Sequence, residues 1–394
     1  MKNIFSKKKK LLIFHHSGVY GGASASLIFL LQYLKNYYEC TIVTPAGSVT
    51  EVLTKMNLNF ITIIGLPQMN NNYWGSYTGF RSLIFIREFI YLVRFLFFMK
   101  EIKKIKPDII HLNDITILPI GKIIKFFYPD IKIYCHIRSL QNKKNSLLKK
   151  IQEKFLTSAI VKFIVIDKDV YNSLGKTFRN KSEIIYNSFK QITKKVKFKD
   201  KKNIFYVGFV GNFTDSKGVS MILEAAKILK NKKIHFILVG PIVYNLSFLG
   251  KVYSILKLRI NFSDLLIKNS KKINNIYFVG FREKLDNFYK KIDLIAFPSY
   301  LNAAGRPVLE AGINGIPSIL ALDKNIKNDL VKDNFNGLYC LSNNSKDFAE
   351  KISKIALNKR MYSKLSRNCL RISKGRFNIN KNGKKTYELF EGKY

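Results

Sequence analysis

Short apolar runs that end in a glycine or a polar loop recur along the chain, and each is followed by a segment with helical periodicity. This alternation predicts βαβ units and therefore parallel sheets covered by helices. In the first half the predicted strands are Leu11–His15, Thr41–Thr44, Ile61–Ile64, Ile109–His111, Lys132–His136 and Phe163–Ile166. In the second half they are Phe205–Gly211, His235–Val239, Ile276–Val279, Leu294–Pro298, Ser318–Leu320 and Gly337–Cys340.

The two halves are separated by the segment KQITKKVKFKDKKN at residues 190–203, which has alternating charge and no sustained apolar face. Such a segment is typical of a linker. We predict two doubly wound, Rossmann-like α/β domains over residues 1–190 and 204–375, joined by a linker over 191–203 and facing each other across a cleft. A C-terminal helix within 376–394 is expected to pack back on the first domain. Ligands of such sheets bind beyond the carboxyl ends of the strands, so the residues that follow each strand are the functional candidates.

The most apolar stretch, LIFIREFIYLVRFLFFM at residues 83–99, contains Arg87, Glu88 and Arg94. It is short for a membrane span, which needs about 20 apolar residues, so no transmembrane helix is predicted. Two interpretations stay open: a helix that lies in the membrane surface with its arginines toward acidic headgroups, and a helix buried between the sheet and its neighbours. The apolar run Leu11–Phe14 is too short for a secretory signal, and we expect a protein that is not exported.

The amino-acid composition and net charge limit the kinds of molecule that the protein is expected to bind. The chain has 394 residues, 47% of them hydrophobic, which is enough for two buried cores. Its 68 basic residues against 26 acidic ones give a formal net charge of +42, which requires an anionic partner or surface. The basic residues are scattered and no nucleic-acid module is recognisable, so acidic lipid and phosphorylated substrates are favoured over nucleic acid. The four cysteines lack metal or redox spacing, which indicates a reduced, cytoplasmic compartment.

A glycine-rich turn follows the first predicted strand. The segment SGVYGGASA at residues 17–25 contains Gly21 and Gly22 and leads into a predicted helix over Leu27–Leu34. Such a turn lets backbone N–H groups approach an anion at the positive end of a helix. A tight turn without a ligand explains the composition equally well.

Two segments of the second half have stronger phosphate-site features. In VGFVGNFTDSKG at residues 207–218, Lys217 lies at the N-terminal end of a predicted helix over Val219–Leu229. A lysine there opposes the helix dipole unless an anion lies between them, which favours a phosphate site over a solvated lysine. In FPSYLNAAGRPVLEAGINGIP at residues 297–317, a loop leads to Gly305 and Arg306, and a helix with Glu310 in its first turn follows. Backbone N–H groups and the Arg306 guanidinium there have the chemistry to hold a diphosphate.

These segments resemble the retaining glycosyltransferases of family 4, which have the GT-B architecture of two Rossmann-like domains. The resemblance extends to Leu238-Val239-Gly240-Pro241, to Phe278-Val279-Gly280-Phe281, to KPDIIH at residues 106–111 and to Ile185-Tyr186-Asn187-Ser188, in the order of the family. It implies transfer of a sugar from a nucleotide sugar, UDP- or GDP-linked, to a saccharide acceptor. No cofactor and no metal are expected. The pair Asp167 and Asp169 is expected to cap a helix rather than to bind a metal.

The resemblance also assigns roles to residues. Lys217 would bind the donor diphosphate and Glu310 the ribose hydroxyls, and both are expected to act in catalysis together with His136, which would stand near the transferred sugar. The other implied donor-binding residues are Gly21, Gly22, Asn212, Gly280, Phe281, Arg282, Asn302, Gly305 and Arg306.

Two positions depart from the family. A glutamate is usual at the position of Asn302, and an arginine is usual at the position of Asn212. Asn302 is expected to hydrogen-bond a sugar hydroxyl and Arg306 to supply the missing positive charge. These departures keep two alternatives open: a catalytically weakened homologue that acts as a partner subunit, and a nucleotide-sugar epimerase or phosphorylase with the same architecture.

The expected setting is bacterial surface polysaccharide assembly, such as capsule or O-antigen. The excess positive charge would hold the protein on the acidic inner face of the cytoplasmic membrane, where a lipid-linked saccharide acceptor is presented.

Overall fold

The computed structural model describes residues 8–69, 84–142, 147–189, 203–240 and 273–393. The chain divides into two compact units. The first contains Met1–Ser188 and Phe377–Tyr394, and the second contains Phe189–Arg376. The predicted linker lies outside the described residues except for Asn203.

The first unit is built on a seven-stranded, fully parallel sheet with the order β3-β2-β1-β4-β5-β6-β7. Its strands are β1 Lys9–Phe14, β2 Tyr38–Pro45, β3 Phe60–Ile63, β4 Ile109–Leu112, β5 Lys132–Ile137, β6 Lys162–Val165 and β7 Ser182–Ile184. The helices are α1 Gly22–Leu34, α2 Ser48–Lys55, α3 Ile84–Ile105, α4 Leu118–Phe127, α5 Leu147–Lys154, α6 Lys168–Ser173 and α7 Lys176–Asn180.

The second unit is built on a six-stranded parallel sheet with the order β10-β9-β8-β11-β12-β13. Its strands are β8 Phe205–Val210, β9 Ile234–Val239, β10 Ile276–Gly280, β11 Leu294–Phe297, β12 Ser318–Leu322 and β13 Gly337–Leu341. The helices are α8 Val219–Ile228, α9 Asp286–Lys291, α10 Arg306–Ile313, α11 Ser345–Leu357 and α12 Lys359–Arg376, and α13 Ile379–Phe390 belongs to the first unit.

Alternating side chains of the central strands fill two cores in the first unit. Leu12 and Phe14 of β1 pack with residues of α3 and α4 on one face of the sheet. Leu11 and Ile13 pack on the other face with residues of α1 and α13. This alternation follows from the period of two in a β-strand. The C-terminal helix α13 packs against α1.

All strands predicted from the hydrophobic pattern are present, with ends that differ by at most a few residues. The edge strand β7 was not predicted, because its three residues include only one apolar side chain, Ile184. Helix α1 begins at Gly22, earlier than predicted, since its first turn consists of small residues without apolar periodicity. Asp167 caps α6 by accepting a hydrogen bond from the Val170 amide at 2.7 Å, as predicted.

Helix α3 contains the most apolar stretch of the chain. Phe95, Met99 and Ile102 are buried in the core, whereas Phe89 and Phe97 are 66% and 71% exposed. The helix is therefore not enclosed between the sheet and its neighbours. No helix within the described residues combines the length and hydropathy that a membrane span requires.

Candidate active site

Lys217 lies in a short 3-10 turn, Asp215–Lys217, between β8 and α8. Its ammonium nitrogen is 5.7 Å from the ring centroid of Phe297, the last residue of β11. Burial lowers the pKa of the Lys217 ammonium from its usual value. Lys217 forms no ion pair with any residue in the described part of the chain. A partly desolvated cation without a carboxylate, near the positive end of a helix, is an environment that an anion would stabilise.

Gly218 fixes this turn as the N-cap of α8. Its φ of 70° lies in the left-handed region, and a Cβ atom there would overlap the carbonyl oxygen of Pro298. The loop after β11 is also bonded to the turn, because the Ser216 carbonyl accepts hydrogen bonds from the Ser299 hydroxyl and the Tyr300 amide, both at 3.2 Å. The turn that carries Lys217 is thus held against the carboxyl end of β11.

The N-terminus of α10 lies next to the same aromatic ring. Gly305 is the N-cap of α10 and has no side-chain cap, and a Cβ atom at Gly305 would overlap the ring of Phe297. Since the Phe297 ring also lies beneath the Lys217 ammonium, the structure brings the lysine and the positive end of α10 to one place. Both features suit the oxygens of a diphosphate.

Arg306 and Glu310, on successive turns of α10, are paired with each other. The Arg306 Nε donates to Glu310 Oε1 at 2.7 Å, and the Tyr289 hydroxyl donates to Glu310 Oε2 at 2.7 Å. The Arg306 guanidinium also lies 4.6 Å from the ring centroid of Phe189. Glu310 is in the second turn of the helix, so its predicted position in the first turn was wrong: the helix starts at Arg306.

Tyr289 was not identified from the sequence. It is buried, and burial together with the Glu310 carboxylate raises the pKa of its hydroxyl well above the usual value. Its hydroxyl therefore stays protonated and keeps the Glu310 carboxylate in place. No signal in the sequence points to it, because Tyr289 lies in the short, charged helix α9, away from any motif.

Asn302 has a left-handed backbone conformation, with a φ of 53°, and joins two loops. Its side-chain Nδ2 donates to Asp323 Oδ2 at 2.7 Å, and its Oδ1 accepts from the Asp323 amide at 2.7 Å. Asp323 follows β12, the neighbour of β11 in the sheet. A carboxylate that the sequence analysis missed therefore lies beside the position where the family usually has a glutamate.

The remaining predicted residues of the second unit also lie at the carboxyl ends of its strands. Asn212 follows β8 and is exposed, and its carbonyl accepts from the Thr214 amide at 2.9 Å. Gly280 ends β10 with a φ of 75°, and Phe281 and Arg282 follow it with exposed side chains. In the sheet order, β10 is the edge strand, three positions from β11. These residues and Lys217 lie at the same edge of the sheet.

In the first unit, a buried polar network joins the carboxyl ends of three strands to the start of α1. The Asn113 side-chain nitrogen lies 2.9 Å from His15 Nδ1, and His15 Nε2 lies 2.9 Å from the Ser24 hydroxyl in α1. Arg138, after β5, donates to Asn113 Oδ1 at 2.6 Å and to Asn187 Oδ1 at 3.0 Å. The network fixes the turn in which Gly21 is the N-cap and Gly22 the first residue of α1.

His136 lies in β5 and is buried at the same edge. Its Nδ1 is 2.6 Å from Nε2 of His111 in β4. Burial and the nearby Arg138 guanidinium lower the pKa of His111 to about 3 and that of His136 well below its usual value. Both imidazoles are therefore neutral at neutral pH. Asn113 and Arg138 were missed by the sequence analysis, although each lies two residues after the end of a predicted strand, which was the available signal.

Comparison with known proteins finds a family match in the second half of the chain. Residues 188–371 match the family described as Glycosyl transferases group 1. The chain is 26% identical over 233 residues, 59% of this chain and 60% of the relative, to an uncharacterized glycosyltransferase of Methanocaldococcus jannaschii. It is 27% identical over 194 residues, 48% of this chain and 46% of the relative, to the Escherichia coli UDP-Gal:alpha-D-GlcNAc-diphosphoundecaprenol alpha-1,3-galactosyltransferase. The chain thus spans about half the length of these curated relatives.

The fold matches over nearly the whole chain. Anabaena HepE, solved in complex with UDP and glucose, superimposes with a TM-score of 0.72 at 17% identity, covering 98% of this chain and 100% of HepE. With the two parallel-sheet units, this similarity confirms the predicted GT-B fold class. The matched residues 188–371 coincide closely with the second unit, which carries Lys217, Arg306 and Glu310. Residues 188–371 are thus similar to the group 1 glycosyltransferases.

Proposed function

We propose that the protein transfers a sugar from a nucleotide-sugar donor to a hydroxyl group of a saccharide acceptor, with retention of the anomeric configuration. The observation that carries this proposal is the partly desolvated Lys217, which has no carboxylate partner among the described residues and lies close to the uncapped N-terminus of α10. Together they form a positive site of the kind that binds a diphosphate.

In this proposal the bond between the anomeric carbon and the terminal phosphate oxygen of the donor breaks, and its electron pair goes to the diphosphate. The acceptor hydroxyl oxygen forms the new bond to the anomeric carbon, and its proton goes to the departing diphosphate. Lys217, Arg306 and the helix N-terminus at Gly305 stabilise the charge that develops on the diphosphate. A preorganised donor aimed at such a charge contributes about 3–4 kcal/mol in well-studied enzymes.

Glu310 is proposed to accept hydrogen bonds from the ribose hydroxyls of the donor. Arg306 and Tyr289 orient its carboxylate, so its conformation is set before the donor binds. Gly280, Phe281 and Arg282 are assigned to the base. His136 is assigned to the transferred sugar, and Gly21 and Gly22 to the acceptor side of the donor phosphates. None of these roles requires a metal or a cofactor.

We propose a UDP- or GDP-linked donor and a lipid-linked saccharide acceptor at the acidic inner face of the cytoplasmic membrane, within surface polysaccharide assembly. The UDP in HepE and the diphosphoundecaprenol acceptor named for the E. coli relative support these choices. The net charge of +42 supports the acidic membrane surface.

A thermal-shift screen with UDP, GDP, ADP and their common sugars tests the donor site. A ligand at about 100 times its dissociation constant adds about 2.7 kcal/mol of stability. We expect one nucleotide class to stabilise the wild type and to lose its effect in Lys217→Ala. Lys230→Ala, an exposed lysine after α8, is the matched control and should keep the effect. Stabilisation that is equal in both variants would contradict a donor site at Lys217.

A non-catalytic partner subunit is the second candidate function. The observation that favours it is that the Asn302 side chain forms two hydrogen bonds with Asp323. These bonds join two loops at the position where the family usually has a glutamate. Nucleotide binding without release of free nucleotide, in the presence of acceptor lipids, would favour the subunit. Release that depends on the acceptor would favour the transferase, and a changed sugar still attached to the nucleotide would indicate an epimerase.

A further inference from the structure

Helix α3 presents an apolar face away from the core of the first unit. Seven of its hydrophobic side chains are exposed, by 39% for Val93 to 71% for Phe97. They are Phe85, Ile86, Phe89, Ile90, Val93, Leu96 and Phe97, and we call this set the α3 stripe. Burial of large apolar side chains is normally favourable, so a contiguous exposed row of this kind marks an interaction surface.

Helical geometry shows that these seven residues form one surface. At 3.6 residues per turn they fall within an arc of about 140° around the helix axis. The residues that α3 buries in the core, Phe95, Met99 and Ile102, fall on the opposite side. One face of α3 thus anchors the helix to its own sheet, while the other is apolar and exposed.

The charges on α3 suit an anionic partner. The helix has five basic and two acidic residues, which leaves a net charge of +3. Of the acidic residues, Glu88 is buried, where it accepts from the Gln68 amide at 2.6 Å and pairs with Arg87. Arg94 lies at the margin of the α3 stripe, and Lys100, Lys103 and Lys104 follow it toward the C-terminal end, all exposed.

The end of α4 adds apolar surface near the C-terminal half of α3. The hydroxyl of Tyr128 donates to the Met99 carbonyl at 3.0 Å, which ties the end of α4 to α3. Directly before Tyr128, Phe126 is 80% exposed and Phe127 is 49% exposed. Aromatic side chains beside basic residues are the composition that seats a helix in a lipid headgroup region.

We propose that the α3 stripe docks the protein on an anionic bilayer, with the helix parallel to the membrane plane and its apolar side chains in the headgroup region. The net charge favours a bilayer over a second copy of the chain as the partner of the α3 stripe. Two copies that each carry +42 repel one another, whereas an anionic leaflet attracts the basic residues that flank the stripe. The inference deepens the proposed function by naming the surface that would reach a lipid-linked acceptor.

Vesicle binding tests this docking surface without donor or acceptor, so it can fail while the donor site stands, and the reverse. The full-length protein is mixed with phosphatidylcholine vesicles in which part of the lipid is replaced by phosphatidylglycerol. We expect Phe97→Ser to lose about tenfold or more in vesicle affinity, because one aromatic side chain no longer leaves water. Leu357→Ser is the matched control, since Leu357 is 73% exposed in the second unit, and it should bind like the wild type. Equal affinity of the two variants would overturn the proposal.

Depth-sensitive fluorescence provides a second, independent measurement. The chain has a single tryptophan, Trp74, so a Trp74→Phe background allows one tryptophan to be placed at will. In that background, brominated lipid should quench Phe97→Trp and should leave Leu357→Trp unquenched. If Phe97→Trp stays unquenched on bound vesicles, the α3 stripe does not enter the bilayer and the proposal is overturned. If Phe97→Ser changes self-association but not vesicle affinity, the α3 stripe contacts a second copy of the chain, which also overturns the proposal.

Discussion

His111 Nε2 lies 2.6 Å from His136 Nδ1, and both imidazoles are buried. Because neither ring is charged at neutral pH, a single proton is shared between these two nitrogens, and the tautomer of one ring fixes that of the other. His15 is buried at the same edge of the sheet, and burial also lowers its pKa well below the usual value. The first unit therefore contains three histidines that are neutral when folded.

These histidines predict a loss of stability in mild acid. Each folded-state pKa is lower than the unfolded value of about 6.5, so below about pH 6.5 the unfolded chain binds protons that the folded chain does not. The free energy of unfolding should then fall with decreasing pH, by up to about 1.4 kcal/mol per pH unit for each histidine. The fall should continue until the pH reaches the folded-state pKa values.

Urea unfolding at a series of pH values measures this slope. His111→Gln removes one of the three titrating groups, so its slope near pH 5 should be smaller than that of the wild type by up to about 1.4 kcal/mol per pH unit. Identical slopes for the two proteins would mean that His111 is not neutral in the folded state.

Gly218→Ala should disrupt the Lys217 turn without changing its charge. Gly218 combines a φ of 70° with a close approach to the Pro298 carbonyl, so alanine there brings both backbone strain and a clash. We expect a loss of more than about 2 kcal/mol in the free energy of unfolding, together with loss of nucleotide binding.

A second glycine with a positive φ, Gly392, serves as a control that separates backbone strain from the clash with Pro298. Gly392 has a φ of 71°, but a Cβ atom there would meet nothing within 4 Å. Gly392→Ala should cost only the strain of the left-handed conformation, about 1 kcal/mol. Thermal unfolding and nucleotide titration of both variants make the comparison, and equal effects would exclude the Pro298 contact as the cause.

Tyr289→Phe should weaken donor binding through Glu310. The variant keeps the buried ring but removes the hydroxyl that donates to Glu310 Oε2. A hydrogen bond to a charged group contributes about 1.5–3 kcal/mol, and we expect nucleotide affinity to fall several-fold as the carboxylate loses one of its two partners. A double-mutant cycle with Glu310→Gln checks the pathway. If the two substitutions are additive in nucleotide affinity, Tyr289 does not act through Glu310.

The sequence predicts what is local and repetitive in this protein. The buried strands are visible because parallel strands form near-continuous apolar runs. The Lys217 turn is visible because a lysine at the N-terminal end of a helix opposes the helix dipole. The Gly305 turn is visible because a glycine directly before a helix leaves backbone N–H groups accessible to an anion. What it does not predict are side-chain pairs between elements. Tyr289 with Glu310, Asn302 with Asp323 and Arg138 with Asn113 join residues far apart in the chain. Their partners are chosen by the folded geometry and not by any local pattern.

The surroundings of helix α3 could not be predicted from its sequence either. The apolar stretch was consistent with burial and with a membrane surface, because periodicity alone reports that a helix has apolar residues and not what covers them. The folded structure separates the two faces, since Phe95 lies in the core while Phe97, two residues later, is exposed.

The last prediction concerns the pair of Asn302 and Asp323. Introducing the glutamate that is usual in the family, as Asn302→Glu, places a second carboxylate against Asp323, where the Asn302 amide now donates at 2.7 Å. We expect a loss of about 1–3 kcal/mol in the free energy of unfolding, because like charges repel and glutamate tolerates the left-handed backbone less well than asparagine. The double variant Asn302→Glu/Asp323→Asn restores one donor and one acceptor, and should recover the electrostatic part of the loss.

Asn302→Gly is the control for the backbone, since it keeps the left-handed conformation but removes both side-chain bonds. Chemical denaturation of the four proteins separates charge, strain and hydrogen bonding, and nucleotide release in the presence of acceptor lipids reports activity. Higher activity in the double variant than in the wild type would mean that Asn302 limits catalysis. If Asn302→Glu alone is as stable as the double variant, the two side chains are not coupled, and the bond between these loops does not position the residues that follow β11.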